Sequence, residues 1–188
     1  SEQLIVFPLQ TNAAFAALQS RTHEVWARFF ASSMKDDLRY TPTDCFETFP
    51  FPENWTEHPA LEAAGEAYYT YRAELMVEND EGMTTTYNRF HDPKESDPKI
   101  ERLRELHAEM DRAVLDAYGW NDLEPECDFY LDYPIDEATW SSRKKKPYRY
   151  RWPDEFHDQV LGRLIELNGE RAAAEAKAKR AGKKKRKT

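Results

Sequence analysis

Apolar positions divide this chain into a short mixed opening and a longer helical remainder. Leu4-Ile5-Val6-Phe7, closed by Pro8, is an apolar, partly β-branched run and predicts a buried strand. From about Asn12 to Ser32, Phe15, Leu18, Thr22, Val25 and Phe29 recur at spacings of three and four, so they share one face of a helix. Trp26 widens that face, and Arg21, Glu24 and Arg28 lie off its centre. Thr11 or Asn12 suits its N-cap. From Leu38 to Pro52 three closely spaced prolines argue against a helix, and Phe49-Pro50-Phe51-Pro52 reads as extended chain or turn. The opening thus predicts strand, helix, strand.

Helical spacing dominates afterwards. Pro59 suits a first helical position, and Leu61, Ala64, Tyr68, Tyr71 and Leu75 form a stripe that ends near Val77. Thr84 to Phe90 predicts a second, short helix after Gly82. Asp97-Pro98 is a strong start signal for a third, with Ile100, Leu103, Met110, Val114 and Ala117 inward and Gly119 as its C-cap. Two alternating runs follow: Phe129, Leu131 and Tyr133 between acids, then Tyr148, Tyr150 and Trp152 between arginines. Paired, they put Asp128 and Asp132 within reach of Arg149 and Arg151. Pro153-Asp154-Glu155 opens a last helix whose apolar face ends near Leu167. The expected fold is α+β and predominantly helical: a strand–helix–strand piece, then a helical bundle with a two-stranded ribbon. The seam falls between Pro50 and Pro59.

Charge changes this picture. The net value is −8, but residues 171–188 sum to +8 and residues 1–170 to −16. A basic tail hangs on an acidic body. No apolar run approaches the roughly 18 residues of a membrane span, so no membrane partner is expected. The start lacks a signal peptide's pattern and an initiating Met, which reads as a processed chain or excised fragment. Cys45 and Cys127, 82 residues apart, form neither a disulfide framework nor a zinc-ligand spacing, which predicts a cytoplasmic chain with reduced thiols.

Catalytic motifs are few. None of the six glycines forms GxG, so no nucleotide or phosphate loop can be drawn. His107 and Asp111 sit four apart on one helix, but two ligands do not make a metal site. Asp92-Pro93-Lys94, Asp97-Pro98-Lys99 and Glu175-Ala176-Lys177 carry an acid two before a lysine, outside the short-strand context that a nuclease needs.

The richest stretch runs from Arg143 through Lys144, Lys145 and Lys146 to Trp152, with six cations, no acid and interleaved aromatics. Arg143 to Lys146 read equally as phosphate contacts or as a solvated loop. Tyr148, Tyr150 and Trp152 read as core, with the arginines paired to acids. Lys35, Arg39 and Tyr40 form a second candidate DNA contact, and a plain surface loop accounts for them as well.

One resemblance is specific. Phe46-Glu47-Thr48-Phe49-Pro50-Phe51-Pro52, with Arg39 to Cys45 before it, resembles a stretch in large adenine-specific DNA methyltransferases of restriction–modification and phage-exclusion systems, including fused restriction–methylation enzymes. Thr86-Tyr87-Asn88-Arg89-Phe90-His91-Asp92-Pro93 and Met110-Asp111-Arg112-Ala113-Val114-Leu115-Asp116-Ala117-Tyr118-Gly119-Trp120 extend it across roughly residues 3–170. It implies that residues 1–52 end a target-recognition domain and that 53–170 form a C-terminal helical region; composition makes 171–188 a flexible basic tail beyond it. The family's core binds S-adenosylmethionine and receives a flipped adenine at an Asn-Pro-Pro-aromatic motif. This chain has no Asn-Pro-Pro, so no cofactor and no catalysis are expected of it alone. Its implied partners are double-stranded DNA and a methyltransferase core, as domain or subunit. The rival expectation is a structural module that packs on that core and touches little DNA.

Overall fold

The computed structural model of the protein describes residues 6–34, 37–136, 140–141 and 145–185. It is α+β and mainly helical, with two small antiparallel ribbons. The opening differs in detail from its periodicity. Val6 and Phe7 have no regular structure, and Leu4 and Ile5 lie outside the described residues. The single helix expected from Asn12 is two, α1 (Asn12–Gln19) and α2 (Arg21–Phe30). Ser20 separates them in an extended conformation, φ −65° and ψ 154°. Its hydroxyl donates to the Ala17 carbonyl at 2.9 Å and accepts from the His23 amide at 3.4 Å. One serine thus stops one helix and caps the next, while the apolar spacing stays in phase across the break.

After α2 comes a tight ribbon of β1 (Ser32–Met34) and β2 (Asp37–Arg39). The stretch expected to be extended then forms one π-helical turn, Pro42–Phe46. Pro42 occupies its first position, where a missing N–H leaves no bond unmade.

Three helices follow with bounds close to those read from sequence: α3 (Pro59–Glu78), α4 (Met83–Phe90) and α5 (Pro98–Ala117). The Asp97 carboxylate accepts from the Lys99 amide at 2.9 Å and so caps α5, and Gly119 ends that region with φ +77°. β3 (Asp128–Leu131) pairs antiparallel with β4 (Tyr148–Arg151), with Phe129 opposite Tyr150. α6 (Asp154–Lys185) closes the chain, running unbroken into the basic segment.

α5 is the central helix and separates two cores. On one side Ile100, Leu103, Met110 and Val114 meet Ala13, Ala16, Leu61, Tyr68 and Phe90. On the other, Leu115 meets Val25, Trp26, Phe49, Trp152, Val160 and Leu164. Burying each larger side chain contributes about 1.5–3 kcal/mol. The small face of α1 lets α3 come very close. A Cβ built at Gly65 would stand 2.1 Å from the Asn12 carbonyl oxygen, so only glycine fits that crossing. Glu62 completes the contact, accepting from the Ala13 amide at 2.7 Å and from Asn12 Nδ2 at 3.0 Å. It satisfies the free donors at the start of α1 from another helix.

The phenylalanine–proline stretch holds α6. Phe49 is buried, Phe51 stacks on Trp55 at 3.9 Å, and the Thr48 and Phe51 carbonyls accept from Asn168 and Arg171, each at 2.6 Å. Among the described residues no helix is long and apolar enough to cross a membrane.

Candidate nucleic-acid interface

The β3–β4 ribbon sorts its side chains by face. Tyr150 packs on Phe129 at 5.0 Å and Phe90 at 5.8 Å, and Trp152 just beyond β4 is buried in the second core. The intervening Arg149 and Arg151 emerge into a cleft of about 190 Å³, which Arg28 on α2 also lines. Arg21, Glu24, Asp132, Asp154 and His157 complete its polar lining.

Every arginine here has a carboxylate. Arg28 lies 2.8 Å from Glu24 and 3.8 Å from Asp132. Arg149 lies 3.1 Å from Asp132 and 4.0 Å from Glu24, and Arg151 lies 2.5 Å from Asp154. Burial raises the Glu24 pKa, but Arg28, Arg149 and Arg21 outweigh it and hold the carboxyl below its ordinary value. The expected pairing of Arg149 with Asp132 is present. Arg151 instead turns to Asp154, although Asp128 is its register partner.

A second cleft adjoins the first through Asp132 and Arg149, which line both. Its other walls are Asn88, His91, Lys145, Lys146, Pro147 and Tyr148. Lys145 lies 2.7 Å from Asp92 with most of its side chain exposed. His91 accepts from the Tyr150 amide at 3.1 Å, and burial, with Arg149 nearby, lowers its pKa to about 4. It is neutral at physiological pH.

The residues singled out from sequence fall unevenly on this surface. Lys145 and Lys146 line the second cleft. Lys35, Arg143 and Lys144 lie outside the described residues. Arg39 is exposed at the end of β2, and neither it nor Tyr40 lines either cleft. The Tyr40 hydroxyl meets His23 Nε2 at 3.0 Å, and burial pushes its pKa up to about 12. Sequence reasoning missed Arg28 as a wall of the cleft. Its signals were Glu24 one helical turn before it and the Arg149/Arg151 alternation.

The suspected catalytic pairs are otherwise engaged. Asp111 is the buried anchor of Arg21: it accepts from the Arg21 amide at 2.8 Å and lies 2.5 Å from its guanidinium. Arg21 also donates to His107 Nδ1 at 2.7 Å and to the Tyr150 carbonyl at 3.2 Å. Asp92 holds Lys145 and the Lys94 amide, and Asp97 caps α5 and pairs with Arg89. Among the described residues no three His, Cys, Asp or Glu side chains converge on a metal position. Gly65, Gly162 and Gly169 sit within helices, Gly82 starts α4 and Gly119 follows α5.

The clefts can present guanidinium and ammonium donors beside carboxylate acceptors. That mixture suits base edges, which display both, while the cations alone suit phosphate.

Residues 1–53 match the sequence model of the MmeI target recognition domain. Among solved structures the chain is similar to the Type IIL restriction-modification enzyme MmeI in complex with DNA, with 18% identity and a TM-score of 0.53. The match covers 87% of this chain and 17% of that one, so this chain spans a small part of its length. No curated protein sequence matches.

Proposed function

We propose that this chain is a DNA-recognition fragment of a restriction–modification enzyme. The observation that carries the reading is the match of residues 1–53 to a target recognition domain. The fold likeness, which extends over most of the chain, and the paired arginine–lysine clefts support it. In this reading residues 1–52 close the target-recognition domain, 53–170 hold it in place, and 171–188 add positive charge. Arg28, Arg149, Arg151, Lys145 and Lys146 engage duplex DNA, and each phosphate contact releases counterions. Lys35, Arg39, Tyr40, Arg143 and Lys144 extend the contact. The chemistry belongs to a separate methyltransferase core, which holds S-adenosylmethionine and transfers its methyl group to adenine N6. The setting is the cytoplasm, where phage DNA is met and Cys45 and Cys127 stay reduced.

Titration of the chain with labelled duplex DNA at two salt concentrations tests this. Binding that weakens steeply with salt is expected. Absence of binding at low salt, or binding indifferent to salt, rejects it.

A second reading has an observation of its own. Tyr69, Val77 and Met83, each at least half exposed, border a groove between α3 and α4 whose lining also holds Arg72, Asp80 and Glu81. A scaffold that docks on the methyltransferase core would use such a face, and the −16 body disfavours broad DNA contact. Charge reversal at Arg143, Lys144, Lys145 and Lys146 separates the two. Lost DNA affinity supports recognition; unchanged affinity with lost assembly supports the scaffold.

A further inference from the structure

We propose that α6 beyond Arg171 is a second DNA-binding element, separate from the ribbon clefts, which tracks the phosphate backbone without reading sequence. Among the described residues, Arg171 is the last side chain that ties α6 to the body, through the Phe51 carbonyl. Residues 172–181 are all exposed, and no apolar side chain larger than alanine follows Leu167. This segment has nothing to bury, yet the helix continues through Lys185. Continuation needs no new nucleus, because residues 154–171 are already helical, and alanine and lysine propagate well.

Charge and length fit a duplex. The fourteen residues from 172 to 185 span about 21 Å at the helical rise. Six cations fall in the last nine of them: Lys177, Lys179, Arg180, Lys183, Lys184 and Lys185. Over those nine residues, about 13 Å, a duplex presents about eight phosphate charges. The sequence keeps these cations largely without acids. Glu175 is the one acid after Glu170, and it lies 3.5 Å from Lys179 across one exposed helical turn. Lys177 and Arg180 are like charges one turn apart and repel along the helix. A polyanion removes that repulsion, so binding also firms the helix. Lysine on a solvated helix is a mobile point charge with no fork to fit a base pair, which makes the contact blind to sequence.

The element goes beyond the recognition reading, and its test separates the two. In the full chain, Lys177, Lys179, Arg180, Lys183, Lys184 and Lys185 are replaced by Gln, which keeps helix propensity. Affinity for two duplexes of unrelated sequence is then measured between 50 and 200 mM salt. With four of the six cations on phosphate, the log–log salt slope becomes shallower by about 3.6, equally for both duplexes. At 0.1 M salt the variant binds at least tenfold more weakly. Amide exchange over residues 172–181 slows when duplex is added to the parent chain. An unchanged slope overturns the proposal and leaves the clefts as the binding surface. A loss confined to one duplex overturns its indifference to sequence. If the parent binds neither duplex, both readings fall.

Discussion

Arg21 and Asp111 are ninety residues apart in sequence and 2.5 Å apart in space, both buried. Their pair joins the first helices to the central one, and Arg21 reaches on to the carbonyl of Tyr150 in the ribbon. Arg21 therefore supports the wall from which Arg149 and Arg151 emerge. Asp111→Ala removes the counter-charge from a buried guanidinium, which stays charged, and should cost about 3–5 kcal/mol in a urea titration. The double variant Arg21→Met, Asp111→Leu should recover part of this, but not all. The carboxylate also accepts from the Arg21 backbone amide, and that buried donor would remain unpaired.

Stability should fall with mild acid. Burial lowers the pKa of His23 to about 4, and burial with Arg149 nearby lowers that of His91 to about 4. In the unfolded chain both take up a proton near pH 6.5, while in the folded chain they resist it. The unfolded state thus binds more protons in this window. The stabilisation is complete above about pH 6.5 and is lost as pH falls toward 4, at no more than ~1.4 kcal/mol per pH unit for each histidine. Urea midpoints at pH 7.5, 6 and 5 check this. His23→Gln should flatten the curve, and an unchanged slope would contradict the assignment.

Gly65→Ala should destabilise the protein although alanine is the better helix former. The added methyl meets the Asn12 carbonyl, which is backbone and cannot rotate aside. A loss of about 1–3 kcal/mol is expected from overpacking. A gain in stability would show that α1 and α3 can separate without penalty.

Opposite signs are expected at one ion pair in the cleft. Arg149→Gln should weaken duplex binding about fivefold to tenfold near 0.1 M salt and lower the salt slope by about one. Asp132→Asn removes the carboxylate that Arg149 and Arg28 both face, and should tighten binding with a steeper slope. Equal losses from both would mean that the pair only supports the ribbon and touches no DNA.

How much of this was legible depended on whether a signal was local. The starts of α3 and α5 were written by Pro59 and Asp97-Pro98, and the ribbon by alternation in Phe129–Leu131 and Tyr148–Trp152. The break at Ser20 was not, because Phe15, Leu18, Thr22 and Val25 stay in phase across it. The turn at Pro42 was hidden because proline opposes a helix interior but favours a first turn. In the candidate site the cations were visible as residue types. Their partners were not: in a body with 34 acids, nothing local marks Glu24, Asp132 and Asp154 as the three that face arginines.

The meeting of α1 with α3 bears on how this protein could be re-engineered. The match to a target recognition domain stops at residue 53, and on the proposed reading a specificity exchange would transplant that segment. Physically there is no free joint at that position. Gly65 is shaped to the Asn12 carbonyl, Glu62 to the Ala13 amide and Asp111 to Arg21. A donor segment must bring the small face of α1 and the arginine at the start of α2, or the acceptor must change with it. The cut that respects the packing is set by these three contacts and not by the end of the sequence match.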